Sequence, residues 1–141
     1  MTRGSNAAIV ALAFMAFIII GFTAGISGVA WPSMRDTFGV TQDAIGALLM
    51  LSTVGALAMN ISSGRLITHI GLGVLLLLGC IIAGFGYLGY SLAPTWWVLV
   101  AFGLVAAIGS TGLIAGLNTY FAINQTARLM IWLQACFGLG A

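Results

Sequence analysis

Four apolar runs divide this chain, and each is near the length that a helix needs to cross a lipid bilayer. The runs are residues 7–31, 44–63, 72–92 and 96–121. At about 1.5 Å of rise per residue, roughly 20 apolar residues cross a ~30 Å hydrocarbon core. The four arginines and two aspartates lie outside the middle of every run, so no helix has to bury a charge. The sequence therefore predicts four full transmembrane helices.

The composition supports a membrane protein. The 141 residues are 62% hydrophobic and 4% charged, with a mean hydropathy of +1.20, which lies outside the range of soluble domains. A fifth apolar run, residues 129–141, would span only about 20 Å as a helix. The predicted fold class is an all-α membrane protein with four full helices and a truncated fifth. We expect the natural protein to continue beyond this run.

The arginines predict the orientation in the membrane. Arg3, Arg65 and Arg128 would lie on one side, and Arg35, next to Asp36, on the other. Because cytoplasmic segments carry an excess of positive charge, the N-terminus is predicted to be cytoplasmic. The expected location is the lipid bilayer of a bacterial inner membrane.

Local signals predict the connections between the helices. Pro32 is expected to end the first helix and Thr41 to cap the second, which makes residues 31–41 an outer loop. Only residues 93–95 separate the third and fourth runs, so these should pack as antiparallel neighbours. Three tryptophans near the outer ends of the runs are typical of an aromatic belt, namely Trp31, Trp96 and Trp97.

No pattern in the sequence indicates catalysis. It contains no phosphate-binding loop, no nucleophile–base pair and no metal-spaced set of ligands. Four scattered arginines do not form a nucleic-acid-binding surface. We therefore expect no enzymatic activity, no cofactor, no metal and no nucleic-acid partner.

The segment after the second run carries a family resemblance. Residues 64–71, Gly-Arg-Leu-Ile-Thr-His-Ile-Gly, keep both glycines and the leucine of the signature loop G-x-L-x-D-R-x-G. This loop is similar to that of the major facilitator superfamily. Thr68 replaces the family's aspartate and His69 its arginine. The resemblance implies a cytoplasmic gating loop that contains Gly64, Arg65, Thr68, His69 and Gly71.

Further short motifs resemble the same superfamily. They include the outer segment with Pro32, the residues 38–41 that lead into the second run, and Asn118 in Gly-Leu-Asn-Thr-Tyr. Residues 128–141 resemble the start of the fifth helix in its fucose-permease-like sugar transporters. The resemblance implies two six-helix halves, of which this chain is most of one. The remaining helices and a small-molecule solute are then the expected partners.

Glycines at helical spacing predict close packing between helices. Small residues at such spacing let transmembrane backbones approach each other. The first and fourth runs share Gly, Thr and Gly at equal spacing, as the opposed repeats of secondary transporters can do. Two stripes are predicted to pack: Gly21, Gly25 and Gly28 in the first run, and Gly109, Gly112 and Gly116 in the fourth.

Five polar residues are candidates to bind solute or line a cavity. The hydroxyls of Thr23, Ser27 and Thr111 have a local alternative, which is to donate to a carbonyl one turn back in their own helix. Asn118 and Gln134 demand partners more strongly, because an amide in hydrocarbon carries several donors and acceptors. Both amides are placed near the cytoplasmic face, at similar heights, where they could pair or form an inner gate.

The main hypothesis is a secondary active or facilitative transporter of a small polar organic solute, working by alternating access. The rival is a small helical membrane scaffold or assembly protein, whose glycines bind partner helices and whose amides are structural. We expect no transport from residues 1–141 alone.

Overall fold

The computed structural model describes the backbone of residues 3–124 and 127–141 and the side chains of residues 10–123 and 128–141. The side chain of Arg3, which the orientation argument used, lies outside this set. The described residues form five helices. These are α1 (Arg3–Phe38), α2 (Ala44–Ile70), α3 (Leu72–Ser91), α4 (Trp96–Asn124) and α5 (Ala127–Gly140).

The prediction of four long apolar helices is confirmed. Four stretches are long and apolar enough to cross a membrane: Val10–Phe38, Ala44–Ile70, Leu72–Ser91 and Trp96–Ile123. Helix α5 has 14 residues, which span about 21 Å at 1.5 Å per residue. Helices suit this composition because they satisfy every internal backbone hydrogen bond within the segment, as lipid requires.

The end of α1 differs from the sequence prediction. Pro32 lies inside the helix, which continues to Phe38. Transmembrane helices tolerate proline where the freed backbone groups find other partners. The stop signal is Gly39, whose φ of +60° is left-handed, with the Val40 N–H donating to the Arg35 carbonyl at 3.2 Å. This is the hydrogen-bond pattern of a Schellman cap, and it ends the helix at Phe38, six residues beyond Pro32.

The start of α2 also differs. Thr41 was expected to cap this helix, but the N-cap residue is Asp43, and its side chain makes no capping hydrogen bond. Thr41 contributes its main-chain carbonyl instead, which accepts the N–H of Ala44 at 3.1 Å. A carboxylate at the N-terminus of a helix is still favourable, because the helix dipole is positive there.

These helix ends lead to a prediction. Gly39→Val should lower the free energy of unfolding by about 1–2 kcal/mol, because a branched side chain resists the left-handed conformation. Pro32→Ala should leave stability unchanged or raise it, because an alanine restores an N–H inside the helix. Chemical unfolding of both variants in detergent micelles, followed by circular dichroism, measures the difference. A destabilised Pro32→Ala beside an unchanged Gly39→Val would contradict the assignment.

The described residues divide into two compact units. One contains those up to Trp31 and those from Asn118 onward, and the other spans Pro32–Leu117. In the second unit, α3 and α4 are antiparallel neighbours, as predicted. Small residues of α3 lie against α4 in a regular register: Gly79 against Leu113, Ala83 against Gly109, and Gly86 against Ala106.

Helix α4 also contacts α2 in the second unit. The two helices run parallel, with Gly103 against Leu48 near one end and Gly112 against Met59 near the other. Trp96 is 8% exposed and its ring lies 6.1 Å from that of Phe38. Trp97 is 73% exposed, as a lipid-facing residue would be, whereas Trp31 and Trp96 are buried. Of the three predicted belt residues, one therefore faces outward.

In the first unit, α1 packs against α5. The carbonyl groups of Phe137 in α5 and of Ala141, the residue after α5, occupy the positions where Gly21 and Gly25 would carry a Cβ. Gly140 of α5 is equally close to the main chain of α1, with Phe22 N 2.8 Å from its ideal Cβ position. Side chains would keep these backbones apart, so the contact depends on glycine from both helices.

Candidate functional site

An amide pair joins α4 and α5 in the first unit. Nε2 of Gln134 donates to Oδ1 of Asn118 across 3.4 Å. Asn118 is half-buried and Gln134 is exposed. The distance is longer than the usual 2.7–3.2 Å, so this is a weak hydrogen bond. The structure thus brings together the two amides that the sequence placed at similar heights.

Aromatic side chains surround this end of α4. Phe121 is fully buried, with the ring of Tyr120 at 5.9 Å and the ring of Phe14 at 6.4 Å, both edge to face. Leu133, next to Gln134, is also fully buried. The amide pair is therefore close in sequence to two fully buried apolar side chains, one on each helix.

The hydroxyl candidates on α1 bond within their own helix. Thr23 donates to the carbonyl of Ile20 at 2.8 Å, and Ser27 donates to the carbonyl of Thr23 at 3.0 Å. This is the local alternative considered from the sequence, and it occupies each hydroxyl proton. Thr111 is half-buried on α4 and belongs to the second unit.

The segment 64–71 is helical, which corrects the prediction of a loop. Helix α2 continues to Ile70, and Gly71 alone, with φ +82°, separates it from α3. The five residues expected in a gating loop therefore lie on the last two turns of α2 and at its C-terminal cap. The Thr68 hydroxyl donates to the Arg65 carbonyl at 2.8 Å, and Nδ1 of His69 lies 3.0 Å from the same oxygen.

A second polar cluster, formed by Arg35, Asp36 and Gln42, lies near the N-terminal end of α2. Arg35 bonds the carboxylate of Asp36 at 3.0 Å and the amide oxygen of Gln42 at 3.0 Å. The two charged side chains are 40% and 71% exposed, so solvent screens the pair. Such exposed ion pairs contribute at most about 1 kcal/mol.

The glycines of the two stripes differ in the atoms that an added Cβ would meet. On α4, a Cβ at Gly109 would meet the main chain of α3, whereas at Gly112 and Gly116 it would meet the ends of the Met59 and Leu76 side chains. On α1, the Gly21 and Gly25 positions meet the main chain of α5. A Cβ at Gly28 would meet no atom within 4 Å among the described residues.

The sequence analysis did not identify the residues of α3 and α5 that pack against the predicted glycine stripes. Gly79, Ala83 and Gly86 of α3 form a row at i, i+4 and i+7, a helical spacing like the i, i+3 and i+7 of the α4 glycines. Gly140 of α5 was also overlooked. The signal was therefore present for α3. In the short α5, Gly140 has only Gly138 two residues before it, which is not a helical repeat that could indicate its contact.

The fold and these sites define a polytopic helical membrane protein, with four long apolar spans, closely packed glycines and, among the described residues, charged side chains near the helix ends. The family model of the Major Facilitator Superfamily matches residues 13–141, and the chain belongs to that family of transporters. This confirms the superfamily resemblance seen in the sequence. Comparisons with curated proteins and with solved structures gave no significant match.

Proposed function

We propose that this chain is part of a secondary active or facilitative transporter that moves a small polar organic solute by alternating access. The observation that carries the proposal is the Asn118–Gln134 amide pair, 3.4 Å apart, in a chain of the Major Facilitator Superfamily. One bond between two amides uses one of the two Gln134 N–H donors and leaves hydrogen-bonding capacity on both groups. A solute hydroxyl or carbonyl has the chemistry to replace this weak bond.

The polarity of the site supports a neutral solute. The charged side chains that the structure describes in α1 and α2 lie in the terminal turns of those helices or just before them, not at mid-span. A solute that meets Asn118 and Gln134 is therefore recognised by hydrogen bonds rather than by charge. Thr23 and Ser27 in the same unit, and Thr111 in the other unit, stay separate candidates of the same neutral chemistry. The resemblance to fucose-permease-like transporters makes sugars and polyols the first compounds to test.

The proposed orientation places the pair at an inner gate. With the N-terminus cytoplasmic, Asn118 lies some 22 residues beyond Trp96, about 33 Å along α4, and so near the inner face. In the same orientation, the C-terminal turns of α2, with Gly64, Arg65, Thr68, His69 and Gly71, are proposed to face the cytoplasm. Further helices, or a second half, would complete the solute pathway.

The decisive experiment is solute uptake. Proteoliposomes that contain the product of the entire gene are screened with radiolabelled sugars, polyols, amino acids and organic acids. We expect saturable uptake of at least one neutral polar solute, with competition by compounds that share its hydroxyl pattern. Transport restricted to charged or strongly apolar compounds would contradict the proposed recognition chemistry.

A second prediction concerns the polypeptide of residues 1–141. Liposomes that contain this polypeptide alone should show no uptake above empty liposomes, because alternating access needs two bundles that rock against each other. The control is the longer gene product at equal protein density. Robust uptake by residues 1–141 would show that the proposed further helices are not needed.

A further inference from the structure

Arg65 bonds no carboxylate among the residues that the structure describes. The sequence contains two acidic side chains, Asp36 and Asp43. Asp36 is bonded to Arg35, and Asp43 is the N-cap of α2, some 22 residues before Arg65 and roughly 33 Å away along the helix. The guanidinium of Arg65 is exposed. An anion that neutralises it must therefore come from outside these residues.

The length of α2 places Arg65 at the depth of lipid headgroups. The helix begins at Ala44 and has 27 residues, about 40 Å at 1.5 Å per residue. A ~30 Å hydrocarbon core is crossed near residue 64, and the headgroup layers extend the bilayer to about 40–45 Å. Because residues 64–70 are helical, Arg65 and His69 lie one turn apart on the same side of α2 within that layer.

An open, shallow groove of about 230 Å³ lies on this end of α2, and its exposed lining is mostly apolar. It is lined by Arg65, Leu66, His69 and Ile70. Ile70 is 38% exposed. Two basic side chains thus lie beside two aliphatic ones, an arrangement that matches a phosphate attached to an acyl chain better than it matches a fully solvated anion.

His69 adds a preference among headgroups. Its Nδ1 lies 3.0 Å from the Arg65 carbonyl and 3.3 Å from the Thr68 hydroxyl. Because a carbonyl oxygen only accepts, the contact with Arg65 is a hydrogen bond in the tautomer that carries the hydrogen on Nδ1. In the neutral ring Nε2 is then an acceptor. A headgroup that offers a hydroxyl donor next to its phosphate fits both Arg65 and His69.

We propose that this groove binds an anionic phospholipid with a hydroxyl-bearing headgroup, such as phosphatidylglycerol. The lipid phosphate bonds the Arg65 guanidinium, a headgroup hydroxyl donates to Nε2 of His69, and an acyl chain lies along Leu66 and Ile70. Guanidinium groups bind phosphate through two parallel hydrogen bonds, which makes Arg65 the dominant contact.

Native mass spectrometry of the purified protein tests this proposal. The protein is exchanged into equal mixtures of phosphatidylglycerol and phosphatidylcholine, and the bound lipids are counted. We expect at least about a fivefold preference for phosphatidylglycerol, from the attraction of one basic residue to an anionic lipid. Arg65→Gln should remove most of it, and Arg65→Lys should retain part. Circular dichroism of each variant confirms that the helices are intact.

Two matched variants separate a site from general charge attraction. Arg35→Gln removes a charge at the other end of α2, and Arg128→Gln removes an exposed charge from the start of α5, on the same predicted side as Arg65. Both should keep the preference. An equal loss in Arg128→Gln, or a preference that survives Arg65→Gln, overturns the proposal. So does displacement of the lipid by millimolar inorganic phosphate, which would indicate a site for a soluble anion.

Discussion

Replacing Gly109 by alanine is expected to lower the free energy of unfolding by about 1–3 kcal/mol, the cost of overpacking a well-packed interior. An ideal Cβ at this position meets the backbone nitrogen of Ala83, and it lies 2.7 Å from Ala83 Cα and 2.8 Å from the carbonyl carbon of Ile82. Main-chain atoms of a neighbouring helix cannot rotate away as a side chain can. Helices α3 and α4 would therefore have to separate, which would also loosen the contact at Gly86.

Two other glycines provide controls for this substitution. Gly112→Ala, less than one turn further along α4, places a Cβ 3.0 Å from Cε of Met59, and this flexible side chain can shift. Gly28→Ala meets no described atom within 4 Å. Reversible unfolding in bicelles should give Gly109→Ala a clearly lower free energy of unfolding than either control variant. Equal stability of Gly109→Ala and Gly112→Ala would show that α3 and α4 do not approach as closely as described.

The sequence predicted the number and approximate position of the spans because these depend on local composition. An apolar run of about 20 residues has few alternatives to a helix in lipid. Helix ends were less predictable. Pro32 predicts the end of a helix, but lipid and neighbouring helices favour continuation of α1 past it. Gly39 ends the helix instead, through its left-handed backbone. Glycine permits such a cap but does not require one, so its presence in a glycine-rich chain is a weak signal.

The segment 64–71 shows a second limit of sequence reasoning. Two glycines and the family resemblance indicated a loop, whereas the structure continues α2 to Ile70 and leaves Gly71 between the helices. One glycine inside a helix costs only about 1 kcal/mol relative to alanine, which the remaining residues of a long helix offset. Gly64 is accommodated in this way. The correction matters because it places Arg65 and His69 one turn apart on a rigid helix.

Partners between helices could be predicted only where geometry left little choice. The three-residue connection after the third run made α3 and α4 antiparallel neighbours, and the contact of Gly109 with Ala83 agrees. The row of small residues on α3 was missed because the glycine spacing in the fourth run does not indicate which helix packs against it. The pairing of Asn118 and Gln134 could likewise be predicted only in part. A fixed rise per residue sets their heights, but the rotation of each helix depends on packing.

Loss of the Asn118 amide is expected to reduce uptake of the transported solute by at least about tenfold, because a site that hydrogen-bonds a substrate discriminates strongly when a partner is removed. Asn118→Ala removes both the acceptor that Gln134 uses and the amide's own donors. Gln134→Ala removes the other half of the pair. If both amides contact solute, each variant should raise KM for uptake, with smaller changes in the amount of folded protein.

A double-mutant cycle distinguishes this role from structural bonding. Interhelical hydrogen bonds in membranes contribute about 0.6 kcal/mol on average, and the 3.4 Å Asn118–Gln134 bond is longer than the usual range, so its coupling in unfolding should not exceed that value. Coupling in uptake should be larger, because one solute would engage both amides. Asn60→Ala is the matched control, since it removes an exposed amide from the C-terminal half of α2. Uptake by Asn118→Ala within twofold of the parent, or an equal loss in Asn60→Ala, would leave the pair as structural bonding without a part in transport.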